Sequence, residues 1–294
     1  MKRFLIVTGA DEAYAEFASD LISSLERLQR LGFDIAMLDY GLAPSTREAL
    51  ARRVSAIVTP SWPFRPNPRF DKQIQARAFA TRPFLPDFFP GYEAYAWIDA
   101  DSFVQDARGI VLLIAAAGGG LTGVVPTVDR SYRHTPESRA WVLDRYRMAF
   151  SDDVAQRLMG APYIASGVVC ASAASPLWRA WRTRFQEALD HWRGDRLCDQ
   201  SILNHIVYLD NLPHHRLPSF CNWISHLAPP LLDVGKAVLV EPSYPRAPLY
   251  IIANSFNDKR KRRAIERTDG RPAIEATLSF RGLSEAVIEA RKAS

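Results

Sequence analysis

The chain has 294 residues, 48% hydrophobic and 23% charged, the make-up of a globular protein with a sizeable core, which excludes disorder as the main state. Its formal charge of +5, from 37 Lys+Arg against 32 Asp+Glu, suits anionic ligands such as nucleotide diphosphates, or a membrane surface, and does not by itself imply nucleic acid. Cys170, Cys198 and Cys221 are widely spaced, give neither a disulfide framework nor a Cys-type zinc site, and read as buried reduced thiols of a cytoplasmic protein.

Phe4–Val7 is an apolar run that predicts a buried first strand, broken at Gly9 and Asp11. It is too short for a signal-peptide core, and no uninterrupted apolar segment approaches the roughly 20 residues of a membrane helix. A helix follows, with Tyr14, Phe17, Ala18, Leu21, Ile22, Leu25 and Leu28 at helical spacing and Gly32 as its stop. Ile35–Leu38 reads as strand two. Ser45-Thr46-Arg47-Glu48 is a capping-box pattern for a helix to about Arg53, and Ser55–Thr59 reads as strand three. This alternation argues for an α/β domain with a mainly parallel sheet. Pro60, Pro63, Pro66 and Pro68 predict an external loop bearing Trp62 and Phe64, before a helix from about Asp71 to Arg82.

Pro83–Gly91, rich in Phe and Pro, leads into Tyr95–Val104, where an aromatic, apolar run meets two acids, Asp99 and Asp101, on either side of Ala100. Ligands of open α/β sheets bind beyond the carboxyl ends of the strands. Two carboxylates there repel each other unless compensated, and a hard divalent cation shared with a phosphate is the natural compensator. Gly109–Ala117 reads as a short buried helix stopped by Gly118-Gly119-Gly120, a triplet without the Lys-Ser/Thr of a phosphate loop. Thr122–Val125 is a strand candidate and Glu137–Phe150 a helix. Tyr163–Ser172 reads as a strand entered through a small-residue turn at Ser166-Gly167. Ser175-Pro176 opens a helix with a Trp178, Trp181, Phe185, Ala188, Trp192 stripe, and Leu197–Leu209 is a helix with Asp199 and Gln200 in its first turn. After Asn211 the pattern loosens. Leu217-Pro218 and Asn222-Trp223 fall in loops, Val238–Val240, Leu249–Ala253 and Ile274–Phe280 are strand candidates, and Ser284–Ala290 is a short amphipathic helix. No linker separates two domains.

Asp-x-Asp also occurs in phosphatases of the haloacid dehalogenase type, but there it follows the first strand. Here it follows three strands and precedes Ser166-Gly167-Val168-Val169 and a helix opening Asp199-Gln200-x-x-Leu203-Asn204. In this order the sequence resembles the GT-A glycosyltransferases, most closely the retaining family 8 and its bacterial relatives, from Phe4 to about Trp223. The resemblance implies a Rossmann-like, mostly parallel sheet flanked by helices, with a C-terminal extension. It implies one domain over 1–294, its nucleotide-binding half about 1–105 and its acceptor and C-terminal part about 106–294. The implied reaction is a hexosyltransferase-type transfer from a nucleoside diphosphate sugar, UDP-linked, with retention and with Mn²⁺ or Mg²⁺.

By the same resemblance Thr8, Gly9, Ala10, Asp11 and Tyr14 would hold the nucleoside, Gly9 by letting a ligand approach the backbone and Asp11 by accepting from a uracil N–H. Arg82 would contact the diphosphate or the sugar. Asp99 and Asp101 would hold the metal, with Asp99 and Ala100 also beside the donor. Ser166 and Gly167 would lie next to the donor sugar, Asp199 on its hydroxyls and Gln200 beneath the anomeric carbon. The family supplies a third metal ligand as a His in a His-x-x-Gly-x-x-Lys-type segment. The matching stretch here, Ile251–Lys259, has no His. Asn254 offers an amide oxygen instead, water completes the site, or the metal is dispensable; Lys259 remains a phosphate contact.

Three alternatives stand beside this reading: a nucleotide-sugar-binding module that has lost turnover, a nucleotidyltransferase, against which the acidic Thr8–Glu12 loop counts, and a basic membrane-surface adaptor. The acceptor would be a glycan, a lipid-linked saccharide or a protein. His214, His215 and His226 read as surface or hydrogen-bonded loop residues. Lys259–Arg263 reads as a solvated face, with diphosphate contact or peripheral docking on anionic lipid at the inner membrane face as sharper roles. It lacks the aromatic interleaving of a nucleic-acid groove.

Overall fold

The computed structural model describes residues 2–292. Strand β1 (Lys2–Ala10) is longer than the apolar run and continues through Gly9. A Cβ at Gly9 would lie 2.5 Å from Tyr40 Cε2, so this glycine makes room for a tyrosine of the protein. Asp11 caps the next turn, its Oδ1 accepting from Tyr14 N at 3.0 Å, and α1 (Ala15–Glu26) follows. Gly32, with φ +81°, ends that connection before β2 (Asp34–Asp39) and α2 (Pro44–Ala51). The capping box at Ser45 is not used. Pro44 takes the first helical position, and Glu12 reaches across from the end of β1 to accept from Ala43 N and Thr46 Oγ1. Next come β3 (Ala56–Val58), α3 (Ile74–Ala80) and α4 (Leu85–Phe88), the last within the Phe/Pro segment expected as a mere lead-in.

Strand β4 (Tyr92–Ile98) ends one residue before Asp99, and β5 (Ser102–Val104) starts one residue after Asp101, so both acids lie in the turn between two strands. Then follow α5 (Ala107–Gly118), β6 (Thr122–Pro126), α6 (Pro136–Ala149) and α7 (Asp152–Met159), an unforeseen helix capped by Ser151. Strand β7 (Ile164–Ser172) contains Ser166 and Gly167, which are extended backbone and not a turn. The chain continues through α8 (Pro176–His191), α9 (Asp199–Tyr208), β8 (His214–Arg216), β9 (Trp223–Ile224), β10 (Leu231–Asp233) and β11 (Val238–Val240). It closes with β12 (Ile251–Ala253), β13 (Arg263–Ile265), β14 (Ile274–Ala276) and α10 (Phe280–Lys292).

The main sheet has seven strands in the order β3-β2-β1-β4-β7-β6-β8, and β7 alone runs against its neighbours. Strand alternation sorts the core. Phe4, Ile6, Ala94, Ala96 and Ile98 pack with α1 and α5 on one face. Leu5, Val7, Tyr95 and Trp97 pack with α8 and α9 on the other. Both faces are covered, as a largely parallel sheet requires. A smaller sheet, β5-β12-β9, stands at the carboxyl end of β4 and carries a third core around Phe103, Trp223 and Ile252.

The C-terminal helix is held to this frame by one buried acid. Asp20 of α1 accepts from Phe280 N and, at 2.9 Å, from Arg281 N, the first two amides of α10. Replacing Asp20 by alanine orphans both donors and is expected to cost about 1–2 kcal/mol in urea denaturation. An unchanged midpoint would mean that α10 is held by its apolar face and by Arg291, which donates to Val234 O and Gly235 O.

Candidate active site

Three registers build the site. Antiparallel pairing of β4 with β7 sets Ile98 opposite Val168, so the next residues meet: Asp99 N donates to Gly167 O at 2.8 Å. Pairing of β12 with β5 sets Ala253 opposite Ser102, so Asn254 N donates to Asp101 O at 2.9 Å. Parallel pairing of β12 with β9 brings Asn222, just before β9, to the same place.

Arg82, 4% exposed, is the hub. Its Nη2 donates to Asp99 Oδ1 at 2.6 Å, and its Nη1 donates to Asp199 Oδ2 at 2.9 Å and Ser166 Oγ at 2.8 Å. The guanidinium lies 4.7 Å from the Trp97 ring centroid and 5.2 Å from that of Phe79. Ser166 Oγ donates to Asp199 Oδ1 at 3.0 Å, and Trp97 Nε1 donates to Asp99 Oδ1 at 2.7 Å. Gln200 Oε1 accepts from Ser166 N at 3.3 Å. Burial lowers the Arg82 pKa, but Asp199 and Asp99 together outweigh it for a net rise, so the group stays cationic. Burial pushes Asp199 above the usual carboxylate range, against the pull of Arg82.

A second ion pair stands beside the first. Lys259 Nζ lies 2.8 Å from Asp101 Oδ2 and donates to Asn254 O at 2.8 Å. Burial raises the Asp101 pKa, Asp99 raises it further, and Lys259 opposes both. The same charges act on Tyr14, whose phenol is raised first by burial. Arg260 donates to Ala13 O and covers the Phe17 ring at 5.0 Å, which latches the basic run onto the start of α1. Arg262 and Arg263 donate to Glu275 O and Asp258 O, so much of the run expected as a solvated face is spent on the protein itself.

These groups border a cavity of about 800 Å³, whose lining includes Asp99, Asp101, Gly167, Gln200, Asn222 and Lys259. Two of the expected site residues are buried and bonded within the protein. Asp199 is 0% exposed, its Oδ2 accepting from Arg82 Nη1 and its Oδ1 from Ser166 Oγ. Arg82 directs its Nη groups to Asp99, Asp199 and Ser166 and so organises the two carboxylates. Gly9 is likewise committed to Tyr40. Thr8, Ala10, Asp11, Tyr14, Ala100, Ser166 and Asn254 do not line the cavity either, although Ala100 and Asn254 adjoin residues of the acid cluster. His226 lines the cavity, with its Nδ1 2.8 Å from Ser255 Oγ; His214 Nδ1 lies 2.8 Å from Leu212 O. All three cysteines are buried and free.

Asn222 is the residue the sequence pattern passed over. It is 2% exposed, and neither its Nδ2 nor its Oδ1 has a hydrogen-bond partner. Its Nδ2 lies 3.5 Å from where a Gly167 Cβ would stand, and Asp99 Oδ2 lies 3.0 Å from that point. A buried amide left unpaired beside a cavity is costly unless a ligand completes it. The only sequence cue was a polar residue among apolar ones before Trp223.

The donor set fits a hard cation. Asp99, Asp101 and Asp199 outnumber Arg82 and Lys259, and among the described residues neither Asp99 Oδ2 nor the buried Asn254 Oδ1 accepts a hydrogen bond. Among the described residues no cluster of three His, Cys, Asp or Glu side chains is present, so amide oxygen, water or phosphate would complete the shell.

No family model and no curated protein matches the sequence. Solved structures do match the fold. The galactosyltransferase LgtC in complex with donor and acceptor sugar analogs superposes with a TM-score of 0.55 at 16% identity, over 97% of this chain and 95% of that one. An active-site glutamine-to-glutamate variant of LgtC gives 0.51 at 16% identity, over 85% and 86%. The bifunctional glycosyltransferase WbbM gives 0.52 at 19% identity, over 75% of this chain and 40% of that one. The chain therefore has a GT-A-like glycosyltransferase fold resembling that of family 8. No helix among the described residues is long and apolar enough to cross a membrane.

Proposed function

We propose that the protein transfers a sugar from a nucleoside diphosphate sugar, UDP-linked, to an acceptor, with retention at the anomeric carbon. The observation that carries this reading is the buried Asp99–Arg82–Asp199–Ser166 network, which ends at Gln200 on the wall of a cavity in a GT-A-like fold. Departure of the diphosphate leaves positive charge on the sugar and negative charge on the phosphate. Bound at Asp99 and Asp101, Mn²⁺ or Mg²⁺ would supply Lewis-acid neutralisation of that phosphate. Lys259 adds an ammonium on the same side. Arg82 fixes Asp99 Oδ1, which leaves Oδ2 toward the ligand. Asp199 is a positioning residue that locks Arg82 and Ser166, and Ser166 N in turn orients the Gln200 amide.

Gln200 is neutral and polar, suited to stabilise charge on the anomeric carbon without trapping it. A glutamine is also an active-site residue of LgtC. Asn222 has an unpaired donor and acceptor for a sugar hydroxyl. Tyr14, with Asp11 close by, is a surface for the base. The donor would lie against the half about 1–105 and the acceptor against about 106–294. Buried free thiols suit a cytoplasmic location, and any contact with anionic lipid would fall to the Lys259–Arg263 segment.

A panel of UDP-sugars, with and without Mn²⁺, tests the reading. The cognate donor is expected to raise the melting temperature, worth about 2.7 kcal/mol at a hundredfold excess over Kd, and to release UDP slowly. No shift and no UDP with any donor and either metal would sink it. Shift without release in any acceptor mixture would favour the binding module, a reading to which the Lys259–Asp101 pair lends support because the ammonium competes for a metal ligand.

A further inference from the structure

The cavity continues beyond the donor end. Its outer wall carries Val128, His134, Arg139, Trp141 and Tyr163, and among its described lining residues Asp99 and Asp101, at the inner end, are the only carboxylates. Trp141 of helix α6 is 46% exposed. It is nevertheless held. The Tyr163 ring meets it edge-to-face at 6.2 Å and 85°, and the Arg145 guanidinium lies 5.3 Å from its centroid. Two further lining groups lack protein partners among the described residues: the hydroxyl of the buried Tyr146 has no hydrogen bond, and Arg139 has no ion pair.

We propose that this outer half is the acceptor subsite, where a sugar ring of the acceptor stacks on Trp141 and an acidic group on that acceptor, carboxylate or phosphate, meets Arg139. The inference rests on the transferase reading above. A pyranose has one face of C–H groups, which packs on an aromatic ring, and hydroxyl edges that stay hydrated. A fixed, half-exposed indole flanked by polar groups offers that combination. A guanidinium is the group best suited to a planar anion. A cationic acceptor would find no carboxylate in the outer half. A lipid chain would meet a wall interrupted by Thr127, His134, Ser138 and Arg139.

The test is a glycan array of neutral and acidic oligosaccharides, probed in the presence of UDP and Mn²⁺ with the wild type, Trp141→Ala, Trp141→Phe and Arg139→Gln. The wild type is expected to bind acidic saccharides. Trp141→Ala should weaken them about tenfold, Trp141→Phe should restore most of the binding, and Arg139→Gln should weaken acidic ligands while sparing neutral analogues. Thermal unfolding of each variant separates lost binding from lost fold. Undiminished binding by Trp141→Ala, hits confined to neutral glycans, or binding only to anionic lipid vesicles and not to any saccharide would overturn the proposal. UDP titration of the same wild-type sample keeps the two levels apart: no UDP binding counts against the transferase itself, whereas UDP binding with Trp141-independent glycans counts only against this subsite.

Discussion

Replacing Arg82 by methionine is expected to destabilise the protein by about 3–5 kcal/mol and to abolish turnover. The side chain is 5% exposed and Asp199 only 1%, so the variant keeps a buried carboxylate with no counter-charge. The sign of the pH effect follows from the same group. Asp199 already has a pKa raised by burial, with Arg82 pulling it back. Without Arg82 it rises further, so the folded variant holds a proton that the unfolded chain releases. Its stability is then greatest in acid and declines as pH rises through that folded value. Denaturation curves should therefore show a larger deficit relative to wild type near about pH 8 than near about pH 5. Arg82→Lys should recover part of the stability and little of the turnover, because one ammonium cannot span Asp99 and Asp199 as the two Nη groups do. Wild-type stability of Arg82→Met at the higher pH would refute the hub.

Asp101→Asn is expected to lower turnover by about a hundredfold to a thousandfold and to weaken Mn²⁺ binding, with little change of fold because Asp101 lies in an interstrand turn. Its counterpart is Lys259→Met. A cation arriving at Asp101 must share it with an ammonium 2.8 Å away. Removing that ammonium is expected to tighten Mn²⁺ about threefold to tenfold in the absence of nucleotide, while UDP binding weakens. Electron paramagnetic resonance titration of free Mn²⁺ reads this without any assay of activity. Equal Mn²⁺ affinity in Lys259→Met and wild type would show that Lys259 and the metal do not compete; retained turnover in Asp101→Asn would remove Asp101 from the donor site.

The parts of the site that could be read along the chain are those marked by local physics. Trp97-Ile98-Asp99 alternates across a strand, so an aromatic core residue and an acid fall on one side, and the indole N–H reaches the carboxylate. Asp199 and Gln200 stand at a helix start, where an acid is favoured by the helix dipole. Local reasoning failed where a pattern had two causes. The small pair Ser166-Gly167 was expected to bend the chain. It is extended instead; Gly167 lacks a side chain where Asp99 Oδ2 lies, and the Ser166 hydroxyl bonds Arg82 and Asp199. The Ser45 capping box lost to Pro44, with Glu12, remote in sequence, supplying the acceptors.

Strand–helix alternation, the acid pair at the end of β4 and the first turn of α9 are legible along the chain, because each follows from periodicity, capping or charge within a few residues. What those acids face depends on contacts between distant elements. Arg82 lies between Asp99 and Asp199, Lys259 lies on Asp101 and Asn222 stands unpaired beside Gly167 because β4–β7 and β5–β12–β9 pair in particular registers. Pairing between distant strands and charges leaves no periodic trace along a chain, so the acid pair could be found in the sequence while its counter-ions could not.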